Sequence, residues 1–142
     1  MIKMFMGGTC NESTWRDELI SKLDLNKIEP FNPMVKNWNE IAQANEDYHK
    51  ENDDICLYTL TPEMIGIYSI FEIGLDAGKK PDRIILCILE EANGRKFDSI
   101  MLKGIEKMKK DLSNLQIPIF DNLDDLSVYL NNYEKIKKYI HE

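Results

Sequence analysis

Residues Ile55–Lys80 read ICLYTLTPEMIGIYSIFEIGLDAGKK, and this stretch decides the fold. It opens with an apolar run, Ile55-Cys56-Leu57-Tyr58-Thr59-Leu60, that has the length and composition of a buried strand. A loop follows from Thr61 to Gly66. A helical pattern then starts near Ser69-Ile70-Phe71-Glu72 and runs to Ala77, with Gly78 as its stop. A strand that leads through a polar loop into a helix forms the ligand-binding corner of a parallel α/β sheet. One carboxylate, Glu72, stands in the first turn of that helix.

The same alternation extends in both directions. Ile2–Met6 reads as a first strand, followed by the loop Gly7-Gly8-Thr9-Cys10-Asn11-Glu12 and a helix from Ser13 or Thr14 to about Leu23. Ile28-Glu29-Pro30-Phe31 reads as a short strand, placed at an edge because Pro30 lacks an N–H. A helix spans about Trp38 to Asn52. Its wheel puts Trp38, Ile41, Ala42, Asn45, Tyr48, His49 and Asn52 on one face, Glu46 on the margin and Asp47 outside. Arg83–Leu89 is the most apolar run and reads as a central strand. After the loop Glu90–Lys96 come a helix from Asp98 or Ser99 to Leu112, with Ile100, Met101, Ile105 and Met108 inward, and a strand Gln116–Phe120. A final helix from Asp121 to Ile140 is anchored by Leu123, Leu126, Val128, Leu130 and Tyr133. Strands alternating with helices predict a three-layer α/β fold of flavodoxin-like or Rossmann-like type. Its five-stranded parallel sheet takes the order 2-1-3-4-5, and residues 1–142 form one domain.

Composition narrows the function. The 142 residues are 43% apolar, enough for a core without disulfides. Eighteen basic and 25 acidic side chains leave a formal charge of −7. That argues against gripping a nucleic acid polymer or an anionic membrane, and no run approaches the roughly 20 apolar residues of a membrane span. Cys10, Cys56 and Cys87 include no CxxC pair, which favours a reduced, cytoplasmic protein. His49 and His141 lack ligand-spaced companions, so a zinc site is not expected.

Two readings of Glu72 stand side by side. Ser69-Ile70-Phe71-Glu72 has the S-x-x-E form of a capping box, in which Glu72 would bond back to the amide of residue 69. Alternatively, the acid faces a ligand at the carboxyl ends of the strands, where Gly7-Gly8-Thr9, Asn32-Pro33 and the Thr61–Ser69 loop also gather. Gly7-Gly8 fits a tight turn as well as a close ligand approach. Trp15 and Trp38 fit packing as well as base stacking, and Tyr68 fits the core as well as a sugar face. Asn32 fits a chain turn before Pro33 as well as a bond to the ligand.

The order of these pieces resembles the nucleoside 2-deoxyribosyltransferase superfamily. The matching stretches are Met4-Phe5-Met6-Gly7-Gly8-Thr9, Trp15-Arg16, Phe31-Asn32-Pro33, and Asp54–Gly74 with its Tyr68-Ser69-Ile70-Phe71-Glu72-Ile73-Gly74. They cover roughly residues 2–90. The resemblance implies that Glu72 is a nucleophile that forms a glycosyl-enzyme ester on a nucleoside or nucleotide. It also implies an acid on the helix before Asp54, at Glu46, with His49 as a rival. Gly7, Gly8, Thr9, Trp15, Asn32, Pro33, Asp54, Tyr68 and Ser69 are the implied substrate contacts, in a homodimer or larger homo-oligomer. Such glycosyl transfer calls for no metal or organic cofactor. The chain departs from the pattern at Gly66, where relatives carry Asp or Ser, and in a first loop without Arg, since Arg16 falls on the following helix. Those departures keep open a pocket that binds a nucleotide-derived small molecule without turnover.

Overall fold

The structure is a computed structural model describing residues 1–10 and 13–140, so Asn11, Glu12, His141 and Glu142 lie outside the described residues. In chain order its elements are β1 (Ile2–Gly8), α1 (Trp15–Ile20), β2 (Ile28–Phe31), α2 (Glu40–Asn52), β3 (Ile55–Leu60), α3 (Tyr68–Lys79) and β4 (Ile84–Ile88). A hairpin of β5 (Glu91–Ala92) and β6 (Arg95–Lys96) follows, then α4 (Ser99–Asn114), β7 (Ile119–Phe120), α5 (Leu123–Asn131) and α6 (Tyr133–Ile140). The main sheet has the order β2-β1-β3-β4-β7, and every neighbouring pair is parallel. This is the expected 2-1-3-4-5 order, with β7 as the fifth strand.

The strands read as continuous apolar runs because both faces of the sheet are covered. Along β3, Ile55 and Leu57 meet Trp15, Leu19, Leu126 and Leu130 on one side. Cys56, Tyr58 and Leu60 meet Ile73, Ala77, Ile105 and Leu112 on the other. Helices α1 and α5 therefore cover one face, and α3 and α4 the other. Burying a side chain such as Leu57 contributes about 1.5–3 kcal/mol. Helix α2 joins the second face through a stack of the His49 ring on Phe31, with centroids 3.7 Å apart. Strand β2 lies at the sheet edge, as Pro30 required.

Several elements depart from expectation. Helix α1 stops at Ile20, and the chain reaches Leu23 through turns. Thr14 precedes α1 without a side-chain cap, because its hydroxyl donates to Glu18 instead. Helix α2 starts at Glu40 behind an Asn39 cap and contains no buried residue. Ile41, Asn45, Tyr48 and Asn52 point outward, while Ala42, Glu46, His49 and Lys50 form the partly covered side. Helix α3 continues through Gly78 to Lys79. The Glu90–Lys96 loop is a hairpin, since Asn93 and Gly94 both take positive φ (51° and 79°). On α4, Ile105 is buried but Ile100 is 82% exposed. The final helix is broken at Asn132, and Val128 faces solvent while Leu123, Leu126, Leu130 and Tyr133 are buried.

Candidate active site

Strand β1 ends in Gly7-Gly8 because nothing larger fits. A Cβ on Gly7 would lie 2.7 Å from the Tyr58 ring. Gly8 has φ of +118°, and its Cβ would lie 2.0 Å from the carbonyl oxygen of Thr59 on β3. The tight-turn reading of these glycines is therefore physically required, and the same small residues form the floor of a cavity. Arg16 folds back under this turn. It is buried, and it donates to the carbonyls of Met6 (3.1 Å), Thr9 (2.8 Å) and Gly8 (3.3 Å). These carbonyls lie where β1 runs out of strand partners. Burial pulls the Arg16 guanidinium below its ordinary value, with the nearby Cys10 thiol pulling the other way.

The cavity, about 360 Å³, opens at the carboxyl end of β1 between the segments that follow β2 and β3. Phe5, Pro33, Met34, Val35, Trp38 and Tyr68 supply apolar and aromatic walls, and Cys10 and Ser69 line it too. Glu46 from α2 and Glu72 from α3 are its two carboxylates, and Arg16 is its only cation among the described residues.

Helix α3 turns its charged side inward. Glu72, Ile73, Asp76 and Ala77 are its buried residues, whereas Ile67, Phe71 and Leu75 are exposed. The capping box is absent: Ile67 holds the cap position without a side-chain bond, and Ser69 is already the second helical residue. Glu72 is instead paired with the ammonium of Lys50, which donates to its Oε2. Among the described residues Oε1 has no hydrogen-bond partner. One turn on, Asp76 accepts a hydrogen bond from the Tyr58 hydroxyl. Burial, that bond and the Asp76 charge together push the Tyr58 phenol far up. Burial alone pulls the Lys50 ammonium down, but its bond to Glu72 and the charges of Glu72 and Asp76 hold it above the usual lysine value. The Glu46 carboxyl is pushed up, first by burial and then by the Glu72 charge, against the opposing pull of Lys50.

Not all of the expected contacts converge. Gly7, Gly8, Pro33, Tyr68, Ser69, Glu46 and Glu72 meet in the cavity. Thr9 is buried behind it, where its hydroxyl accepts from the Thr61 amide (2.9 Å). Trp15 is in the core, 2% exposed, with its indole N–H on the Thr9 carbonyl (2.8 Å), so it packs rather than stacking on a base. Asn32 turns the chain by accepting from the Met34 amide (3.0 Å). Asp54 stands at the opposite, amino end of β3, where it accepts from the Lys3 amide (2.8 Å), too far along the strand to reach the ligand edge. His49 is committed to Asp53 (2.9 Å) and to the Phe31 stack.

Two polar groups escaped the sequence reading. Lys50, which the helical wheel did not single out, is one. Glu63, 8% exposed, is the other. It accepts from Ser13 after β1 (3.0 Å), from Thr61 after β3 (3.3 Å) and from Asn93 in the hairpin after β4 (3.1 Å). One buried carboxylate thus ties together three loops at the ligand edge.

A parallel α/β sheet with a carboxylate-lined cavity over the carboxyl end of β1 defines an α/β ligand-binding domain whose crevice carries two acids in different electrostatic settings. The chain belongs to the family described as nucleoside 2-deoxyribosyltransferase like, whose model matches residues 1–91. The matched span contains every residue lining the cavity. No curated protein matches the chain.

Proposed function

We propose that this protein cleaves or transfers the N-glycosidic bond of nucleosides, with Glu72 as nucleophile and Glu46 as general acid. The reading is carried by the contrast between the two carboxylates in one cavity. Glu72 is ion-paired with Lys50, and Glu46 is pushed toward its protonated form. An enzyme that needs a carboxylate and a carboxylic acid at one bond requires such a division. Glu72 attacks the anomeric carbon as the C–N bond breaks. The bonding pair leaves with the base nitrogen, which takes the Glu46 proton, and a glycosyl ester remains on Glu72. Attack by an acceptor base or water then returns the pair to the Glu72 carboxylate, and the proton released goes to Glu46.

The cavity's charge favours a substrate without a 5′-phosphate. Among the described residues its single lining cation, Arg16, is already engaged by three backbone carbonyls, and the nearby Lys50 is paired with Glu72. Three free cysteines fit a reduced cytoplasmic setting. The outward apolar side of α3 adjoins α4 across a groove of about 780 Å³ that includes Ile67, Phe71, Ile100 and Met101. An apolar patch of this kind beside the site supports a homo-oligomer, a second copy covering it.

Gly66, exposed where relatives are expected to carry an Asp or Ser, supplies no side chain to a substrate and favours a second reading as a non-catalytic pocket for a nucleotide-derived small molecule. Incubation with common deoxynucleosides, with and without a free acceptor base, separates the two. Base release or exchange in the wild type, abolished in Glu72→Gln, is the expected result. Full activity in Glu72→Gln refutes Glu72 as the nucleophile, and ligand retention without turnover that survives Glu72→Ala refutes catalysis.

A further inference from the structure

Lys50 lies in the last turn of α2, directly before the strand that leads to α3. Its backbone carbonyl is held from two sides, by the Lys80 ammonium and by the Cys56 thiol (3.4 Å). From this fixed base the side chain crosses to the charged inner side of α3. Glu72 and Asp76 are four residues apart there, so their carboxylates occupy one face a turn apart. The ammonium donates to Glu72 Oε2, and the Asp76 charge acts on the same ammonium. Asp76 is anchored by the Tyr58 hydroxyl from the sheet below. A half-buried cation is thus paired with a buried carboxylate that lines the cavity, and it feels the charge of a second, one turn on, that does not line it.

We propose that Lys50 is a positioning residue that holds Glu72 by Oε2, leaving Oε1 for the sugar, and leans on Asp76 while Glu72 is esterified. This rests on the glycosyl-transfer reading above. When Oε1 bonds to the anomeric carbon, Glu72 becomes a neutral ester and loses its charge. A half-buried ammonium left without a counter-charge is strongly disfavoured. In the proposal Asp76 supplies that counter-charge, and Lys50 keeps its proton throughout. When the ester C–O bond breaks, the returning pair on Glu72 again meets Lys50, which favours departure of the carboxylate.

Two measurements test the assignment. The first is kinetic, with 2′-deoxyinosine as donor and adenine as acceptor. Lys50→Met should lower kcat about 100-fold with KM little changed, the signature of a misplaced reacting group. Lys50→Arg, which keeps the charge and a donor, should recover most of the loss. The second is independent of activity: the Lys50 13Cε signal is titrated in wild type, in Glu72→Gln and in Glu72→Gln/Asp76→Asn. The Lys50 midpoint should fall by about one unit or more in the single variant and further in the double variant. A Lys50→Met enzyme with wild-type kcat overturns the proposal, as does a loss confined to KM and thermal stability. A Lys50 midpoint indifferent to both carboxylates overturns it as well. If the wild type turns over no nucleoside, the glycosyl-transfer reading falls, and the titration still decides whether Lys50 is held by both acids.

Discussion

Replacing Gly8 by Ala should unfold much of the ligand edge, and the cost follows from the backbone. Gly8 has φ of +118°, a region that costs a residue with a side chain about 1–3 kcal/mol. Its new Cβ would stand 2.0 Å from the Thr59 carbonyl oxygen and 2.7 Å from the Thr59 nitrogen. Neither atom belongs to a flexible side chain, so β1 and β3 must separate locally. That carbonyl also accepts the Thr9 amide at 2.9 Å, a bond worth about 1 kcal/mol. Repacking adds about 1–3 kcal/mol. The total is about 3–7 kcal/mol, a large share of the roughly 5–15 kcal/mol available to a domain. Urea unfolding followed by circular dichroism reads this directly. With an m-value of about 2 kcal/mol/M, the midpoint should fall by at least about 1.5 M. Gly66→Ala is the control, since its Cβ meets nothing within 4 Å and should move the midpoint little. A Gly8→Ala midpoint within experimental error of wild type would show that β1 and β3 are not packed as described.

Two further outcomes bear on the site and its surroundings. In the proposed mechanism Glu46 must hold its proton, and burial with the Glu72 charge raises its titration, so activity should fall as pH rises through that raised value. Glu46→Gln should remove this alkaline limb and slow release of an ordinary base about 10²–10⁴-fold. It should slow 7-methyl-2′-deoxyguanosine far less, since that base leaves without needing a proton; equal slowing of both substrates would exclude Glu46 as the acid. On the outer side of α3 and α4, Ile67→Glu with Ile100→Glu should convert an assembled protein to monomers in light scattering. A wild type that is already monomeric at micromolar concentration refutes the covered patch.

The sheet was readable because its order follows from local signals. Apolar runs such as Ile55–Leu60 alternate with helical patterns, and parallel crossovers leave few arrangements. Helix faces were harder, because periodicity arguments assume that apolar residues point inward. Helix α3 reverses the assumption by burying Glu72 and Asp76 and exposing Phe71, and α2 exposes Ile41 and Tyr48. A wheel therefore misplaced Asn45 and Tyr48 while placing Glu46 at the cavity margin. Of the candidate site, the glycines, Pro33, Tyr68 and the two glutamates were legible in the pattern of motifs. Lys50 was not, because its partner lies 22 residues away and the bond exists only once α2 and α3 pack together. Asp54 was misassigned because nearness to a motif in sequence does not place a residue at the right end of a strand.

The Glu63 clamp makes the two rims of the cavity mechanically unequal. On one side, a single carboxylate joins Ser13 after β1, Thr61 after β3 and Asn93 after β4. On the other, residues 34–39 are exposed, and the Asn32 turn and the Asn39 cap bond only to their own neighbours. Amide exchange should therefore be slow around Thr61 and fast from Met34 to Trp38. Of the cavity's walls, the β2–α2 segment is then the one that should open first, at a rate that exchange from Met34 to Trp38 would read.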